Sequence, residues 1–487
     1  MFKIVLDEKH ILINLMDLET TIPDNKQMNK NNKNIEQIAS LSKLGFALCL
    51  TLLFFIVPLA YKYGDPLFDD LYYHPKFTAL LALVRLSLFF AVAGIAFGAL
   101  KPFGRNEVDI PAVLFIAALI LSTIFSVAPR LSFYGAFKRN DGLISNISYL
   151  GLFLICAHFV TAVKLVKTLI ISALASASAA SIYGILQFFD IEFLRRDYIR
   201  INWWRSFAAS GNPNFLSAYL LLVIPVALSL VLCEKIEKKK RLLAGAVFII
   251  TTTCLITTYT RAGFLGYVVG VSVFFIISGY TFAKFKQHIR TIAIFLIILI
   301  GVVFLVDLSG RKLHNQSLAG RIETALETES LDKDSGAVRL FVWRNSVPLV
   351  LERPVFGWGL ENFVKAFYQK GRKLDKSGFE GKIHNVVDRA ENTFIQTAVT
   401  TGLAGLAAFL AIIILFFTRT YHAIKRMEDS FLRSLLIGIC AGWWGHLVHQ
   451  FFSFSTISAA PTFWGLGGLA LAIISISISK PAQTDLP

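Results

Sequence analysis

Apolar runs long enough to cross a lipid bilayer recur along this chain, and that recurrence restricts its fold more than any other feature. A span needs roughly 20 predominantly apolar residues. Runs of about that length lie near residues 44–61, 78–100, 110–127, 144–162, 168–188, 214–233, 244–259, 263–282, 291–307, 393–417, 434–455 and 462–479. Hydrophobic residues make up 55% of the sequence and charged residues 16%, with a mean hydropathy of +0.61, far from a soluble average. The chain reads as an all-α polytopic membrane protein with about twelve transmembrane helices.

The formal charge of +16 does not point to nucleic acid, because many of the basic residues sit in short loops between apolar runs. Lys101 and Arg105, Lys164 and Lys167, Lys235 to Arg241, Lys284 to Arg290, and Arg419 to Arg433 all fall on one side. Positive loops mark the cytoplasmic face. Residues 1–43, rich in Asn and Lys, and residues 481–487 then read as cytoplasmic tails, the first without fixed structure. Spans one to nine occupy 44–307, a large external loop 308–392, and the last three spans 393–480. No signal peptide is evident. All five cysteines lie in or at the ends of apolar runs, without a CxxC or Cys/His cluster, so neither a disulfide framework nor a metal site is expected. No cofactor is expected either.

Three short stretches accompany the large loop on the external side. The first, Tyr134 to Leu143, carries Arg139. The second holds Trp203, Trp204, Arg205 and Asn212-Pro213-Asn214. The tryptophans read as interfacial anchors, and Asn-Pro-Asn suits the start of a helix, although both asparagines are also candidates for substrate contact. The third is TYTRAGFLGY, where Arg261 sits between two apolar runs with almost no loop around it. An arginine at the lip of a bundle is costly unless it snorkels or meets an anion, which makes Arg261 a functional candidate. Arg139 and Arg205 suit a substrate or a lipid headgroup equally.

In the large loop, residues 338–353 have helical spacing, with Pro348 predicting a kink or two short helices. Arg339 and Trp343 share a face, whereas Arg344 lies roughly 140° from Arg339 around the axis. Pro354 stops the helix, and Gly357 and Gly359 turn a corner that sets Trp358 and Glu361-Asn362-Phe363 at its edge. The basic run from Lys365 to Lys382 reads as a solvated loop, or as a flap over an anionic lipid. The loop closes on His384, Asp388, Arg389, Glu391 and Asn392, a density of ionisable groups suited to catalysis, although acidic residues also favour a helix start.

GNPNFLSAYLLLVIPVAL, TRAGFLGYVVG, VRLFVWRNSVPLVLERPVFGWGLENF and DRAENTFIQTAVTTGLAGL resemble, in order, the blocks of the O-antigen ligase-like superfamily. That group comprises O-antigen ligases, O-antigen polymerases and protein O-oligosaccharyltransferases. The resemblance implies a GT-C-type glycosyltransferase in the bacterial inner membrane. Such an enzyme takes a glycan from an undecaprenyl-diphosphate carrier and passes it, inverting and without a metal, to a glycan, lipid or protein hydroxyl. The family's diphosphate-binding arginines correspond to Arg261 and Arg339, with Arg205 a weaker match and Arg344 a further candidate. Where the family has His-Asn, this chain has Glu391-Asn392, and His384-Asn385 lies upstream. Glu391 or His384 is therefore the candidate base, and Asn212, Asn214, Arg139, Trp358 and Asn392 the candidate substrate contacts.

The residues suit that chemistry on physical grounds. A lipid diphosphate leaves with growing negative charge, which fixed arginines can stabilise, and a carboxylate or imidazole can take the proton of an attacking hydroxyl. A flippase of polyprenyl-linked glycans is the competing reading. It predicts charges midway through several spans, whereas here they cluster at the external lip.

Overall fold

A computed structural model describes residues 25–63, 70–137, 139–193, 204–279, 282–314, 317–318, 320, 336–374, 387–428 and 430–479. Among them every regular element is helical: α1 Asn25–Leu59, α2 Tyr73–Ala96, α3 Asp109–Ile124, α4 Pro129–Tyr134, α5 Leu143–Phe159, α6 Val163–Phe188, α7 Pro213–Val231, α8 Lys238–Thr257, α9 Arg261–Ser278, α10 Phe282–His314, α11 Gly336–Glu352, α12 Phe363–Leu374, α13 Thr393–Arg426, α14 Phe431–Phe451 and α15 Ala460–Ser479. Each predicted apolar run lies on one of these helices. Nine are long and apolar enough to cross a membrane, and α3 and α5 are shorter apolar helices. The chain is an integral membrane protein of polytopic helical architecture.

Two boundaries differ from expectation. The Asn/Lys-rich stretch is helical from Asn25, where a tail without structure is predicted. Lys, Gln and Glu are good helix formers, and a helix already nucleated by its membrane segment extends cheaply. The apolar run ending at Asp307 continues as α10 to His314, with Asp307 pairing Arg311 one turn on at 2.8 Å.

Helices α7 and α15 are the most deeply buried of the candidate spans. α14 packs against α7 and α9 through small residues, the usual route to close approach in lipid. A Cβ at Gly442 would lie 2.7 Å from the Leu222 carbonyl, and one at Gly266 would lie 2.5 Å from the Gly445 carbonyl. Gly270 meets Ala441 in the same seam, so α9 and α14 run antiparallel and the start of α9 lies beside the end of α14.

The basic loops gather at one end of the bundle. There Arg419 pairs with Glu107 at 2.9 Å, Lys167 covers the Phe431 ring, and Arg433 donates to the carbonyls of Ile424 and Ser278. The large loop and its companion stretches lie at the other end. That separation is what the charge pattern predicts.

The segment 204–212 is pinned by buried polar groups. Gln187 Oε1 accepts from the Phe207 and Ala208 amides. The fully buried Lys76 ammonium donates to the Ala60 and Ala209 carbonyls.

α13 is broken at Gly402, whose φ of 72° and ψ of −177° leave the helical region. A break in a membrane helix frees backbone groups that lipid cannot satisfy. The turn after α11 satisfies them here: Trp358 N donates to Val399 O and Gly359 N to Thr400 O, both at 2.9 Å, and Leu403 N donates to Pro354 O. A Cβ at Gly402 would lie 2.2 Å from the Val355 carbonyl.

Candidate functional site

Three helices begin close together at the end of the bundle opposite the basic loops. Asn212 caps α7, its Oδ1 accepting from Asn214 N at 2.8 Å. Asn392 caps α13, accepting from Phe394 N and Ile395 N and donating to the Phe451 carbonyl at the end of α14. Thr393 donates to Gln450 Oε1 at 2.7 Å. α9 begins at Arg261, and a Cβ at Gly263 would touch Ser217 of α7 at 3.0 Å. Ser217 in turn meets His449 of α14 at 3.0 Å. The starts of α7, α9 and α13 thus surround the last turn of α14. None of the three has an acidic residue in its first turn, so their positive ends are not neutralised from within.

Two of the predicted arginines join Arg261 here. Arg205 is buried and donates from Nε to the Thr258 carbonyl at 2.7 Å, on the turn that leads into Arg261. Arg339 lies within electrostatic reach of His449, and its buried Nε has no hydrogen-bond partner among the described residues. Trp343, on the same face as Arg339, holds α11 in place: its indole donates to the Ala390 carbonyl at 2.9 Å and its ring packs on Phe451. α11 runs unbroken through Pro348, where a kink or two helices is predicted. Proline removes the amide that would bond the Arg344 carbonyl, and Arg344 is exposed, so water can take that carbonyl. Arg344 therefore lies away from Arg339.

Beside this arrangement is a clamp of five charges drawn from three loops. Arg389, 5% exposed, pairs with Glu361 at 2.5 Å and with Asp141 at 3.3 Å. Arg139 pairs with Asp388 and lies 4.0 Å from Glu361. The Arg389 guanidinium also covers the ring of Phe454, which packs on Phe215 at the start of α7. Burial pushes the Asp141 carboxyl up to about 6, against the pull of Arg389. Burial opposes the charge on Arg389 too, yet Glu361, Asp141 and Asp388 hold it more firmly protonated than usual. Asn140, Glu361 and Glu391 all have positive φ, at 54°, 60° and 50°. Each such residue is strained by about 1–3 kcal/mol, and strain of this kind clusters at functional sites.

The remaining candidates take varied places. Trp358 is buried in the small core of α11, α12 and the start of α13, and its indole donates to the Leu349 carbonyl at 2.9 Å. The polar atoms of Asn392 are engaged in capping. Neither offers an unused group of the kind Arg339 does. Trp204 meets Tyr259 edge-on and stacks on His314 in an aromatic cluster. Trp203 and His384 lie outside the described residues. Sequence reasoning missed His449, Gln450 and Ser453, all buried. A polar pair at the end of an otherwise apolar run, in HLVHQFFS, is the signal that could have revealed them.

Comparison with known proteins supports the resemblance. Residues 246–410, from within α8 to within α13, match the family model described as O-antigen ligase. The matched span holds Arg261, Arg339, Glu361, Arg389 and Glu391. A Rickettsia typhi protein described as a "putative polysaccharide ligase" is 22% identical over 150 residues, which is 31% of this chain and 34% of that protein. The chain thus spans about a third of the relative it matches, and its residues 246–410 are similar to the O-antigen ligase family model.

Proposed function

We propose that this protein transfers a glycan from a polyprenyl-diphosphate carrier to an acceptor hydroxyl, or polymerises it, at the outer face of the bacterial inner membrane. The observation that carries this reading is the convergence of the α7, α9 and α13 starts with Arg205, Arg261 and Arg339. Helix N-termini and arginines together make a site for an anion. A diphosphate held there would have its leaving charge stabilised by groups already in place, an effect worth several kcal/mol. The family match over residues 246–410 supports the same chemistry.

Arg261 and Arg339 would hold the diphosphate, with Arg205 fixing the turn behind Arg261. Arg344 would meet only the rim of a ligand. Glu391, strained at the entrance to α13, would take the proton of the acceptor hydroxyl, with His384 the alternative. Asn212 and Asn214 would line the donor side, and Arg139 with its clamp would hold the loop over the acceptor. The positive-inside pattern puts both termini in the cytoplasm and this site outside.

Reconstitution with a lipid-diphosphate glycan and candidate acceptors tests the reading. Wild-type protein should transfer glycan equally well with and without EDTA. Arg261→Ala and Arg339→Lys should each lower the rate by about 10²–10³-fold, the usual effect of removing one charge-stabilising donor. Full transfer by Arg261→Ala would remove the diphosphate assignment.

A further inference from the structure

Four buried polar atoms around the end of α14 find no hydrogen-bond partner among the described residues: Arg339 Nε, His449 Nδ1, Gln450 Nε2 and Ser453 Oγ. Buried polar groups are nearly always paired, so four orphans in one neighbourhood need an explanation. The side chains are not loosely placed. Gln450 Oε1 accepts from Thr393 Oγ1 at 2.7 Å, and Thr393 also approaches the Ser453 carbonyl at 3.4 Å. His449 and Ser453 are 0% and 1% exposed, and Gln450 is 2% exposed.

The two Ser217 contacts assign the proton of His449, because both are hydrogen bonds only when Nε2 donates. Ser217 donates its one hydroxyl proton to the Asn214 carbonyl at 2.9 Å, leaving its oxygen lone pairs to face His449 Nε2 at 3.0 Å. Nε2 is therefore the donor, and Nδ1 is a bare acceptor.

Three of the four orphans can then donate, and His449 Nδ1 can only accept. Phosphate oxygens can take bonds from Arg339 Nε, Gln450 Nε2 and Ser453 Oγ, but an ionised phosphate has nothing to give Nδ1. A sugar hydroxyl has. The chemistry complementary to this set is a phosphate next to a hydroxyl-bearing ring. We propose that the last turn of α14 is the subsite for the glycosyl-phosphate junction of the donor, with a hydroxyl of the first sugar donating to His449 Nδ1. This rests on the transferase reading and adds a residue that tells a glycosylated carrier from a bare one.

Binding of two probes to full-length protein in detergent separates the possibilities: a polyprenyl diphosphate without sugar, and the same lipid carrying one sugar. Glutamine places its terminal group near the Nε2 position and asparagine near Nδ1. His449→Gln should therefore keep the Ser217 contact and bind the bare lipid within about twofold of wild type, while binding the glycosylated lipid at least tenfold more weakly. His449→Asn, which restores an acceptor near Nδ1, should recover most of that loss. The inference is overturned if His449→Gln binds both probes like wild type, or loses both equally, since the second outcome marks a purely structural residue. If wild-type protein binds neither probe, the transferase reading itself fails and the subsite falls with it.

Discussion

Arg389 and Glu361 form an ion pair at 2.5 Å with side chains only 5% and 4% exposed, joining the residues just before α13 to the corner that follows α11. Charges so far from water are tolerated only in company, and here Asp141, Arg139 and Asp388 supply it. The pair ties the loop segments on which Glu391 and Glu361 are strained.

Breaking that pair from one side should be severe. Glu361→Gln leaves a buried guanidinium short of a counter-charge, a change that typically costs about 3–5 kcal/mol. Thermal unfolding in detergent should show a large drop for Glu361→Gln and for Arg389→Met. The double variant Arg389→Met/Glu361→Leu should recover part of it, because the two charges leave together, although Asp141 still loses its contact with Arg389. Additive losses in the double variant would show that the two residues do not act as a pair.

Asp141 makes stability depend on pH in an unusual direction. Its carboxyl is raised to about 6 from an ordinary value of 3.8, first by burial and then by Glu361. The folded state then binds this proton more tightly than the unfolded chain. The stabilisation is fully present below about pH 4 and is lost as pH rises towards 6. Compared with Asp141→Asn, the wild type should lose relative stability across that window. A constant difference in melting temperature between the two proteins from pH 4 to 7 would contradict the assignment.

The break in α13 gives a matched pair of glycine substitutions. Gly402 and Gly98 have nearly the same φ, 72° and 71°, but a Cβ at Gly402 meets the Val355 carbonyl at 2.2 Å while one at Gly98 meets nothing within 4 Å. Gly98→Ala should cost only about 1 kcal/mol of backbone strain. Gly402→Ala should cost several times more, read as lost monodispersity and a lowered melting temperature. Equal effects would mean that the close approach of loop and helix is not tight.

Glu391 should separate stability from activity. As the proposed base it contributes about 10²–10⁴-fold to transfer, so Glu391→Gln should lower turnover by that order with little change in melting temperature. Because Glu391 sits at φ 50°, Glu391→Gly relieves strain and should be at least as stable as wild type while equally inactive. Should Glu391→Gln transfer normally while His384→Ala does not, the base is His384.

The helices were legible because lipid imposes a length on apolar runs, and each run, from 44–61 to 462–479, lies on a helix. The arginines were legible as charges out of place. The clamp was not. Asp141 and Arg389 are 248 residues apart, and no local periodicity links one external stretch to another. His449 was hidden for a related reason: a polar pair at the end of an apolar run reads as a helix end, and its partner Ser217 is remote in sequence. The break at Gly402 was also invisible, because TTGLAGLAAF continues an apolar run on both sides and only the partner strand of backbone makes the interruption tolerable.

That interruption has a consequence for how the protein can vary. The carbonyls of Val399 and Thr400 and the amide of Leu403 are completed by the turn at 354–359, so the membrane helix and the large loop share one hydrogen-bonded ladder. The loop cannot be exchanged as a cassette at its visible ends. A graft that replaces residues 336–392 would have to bring its own matching turn or leave a membrane helix with open backbone groups. Freedom to vary is therefore confined to parts of the loop outside the joint, such as the exposed side of α12, while the stretch from Pro354 to Gly359 is fixed by the helix it completes.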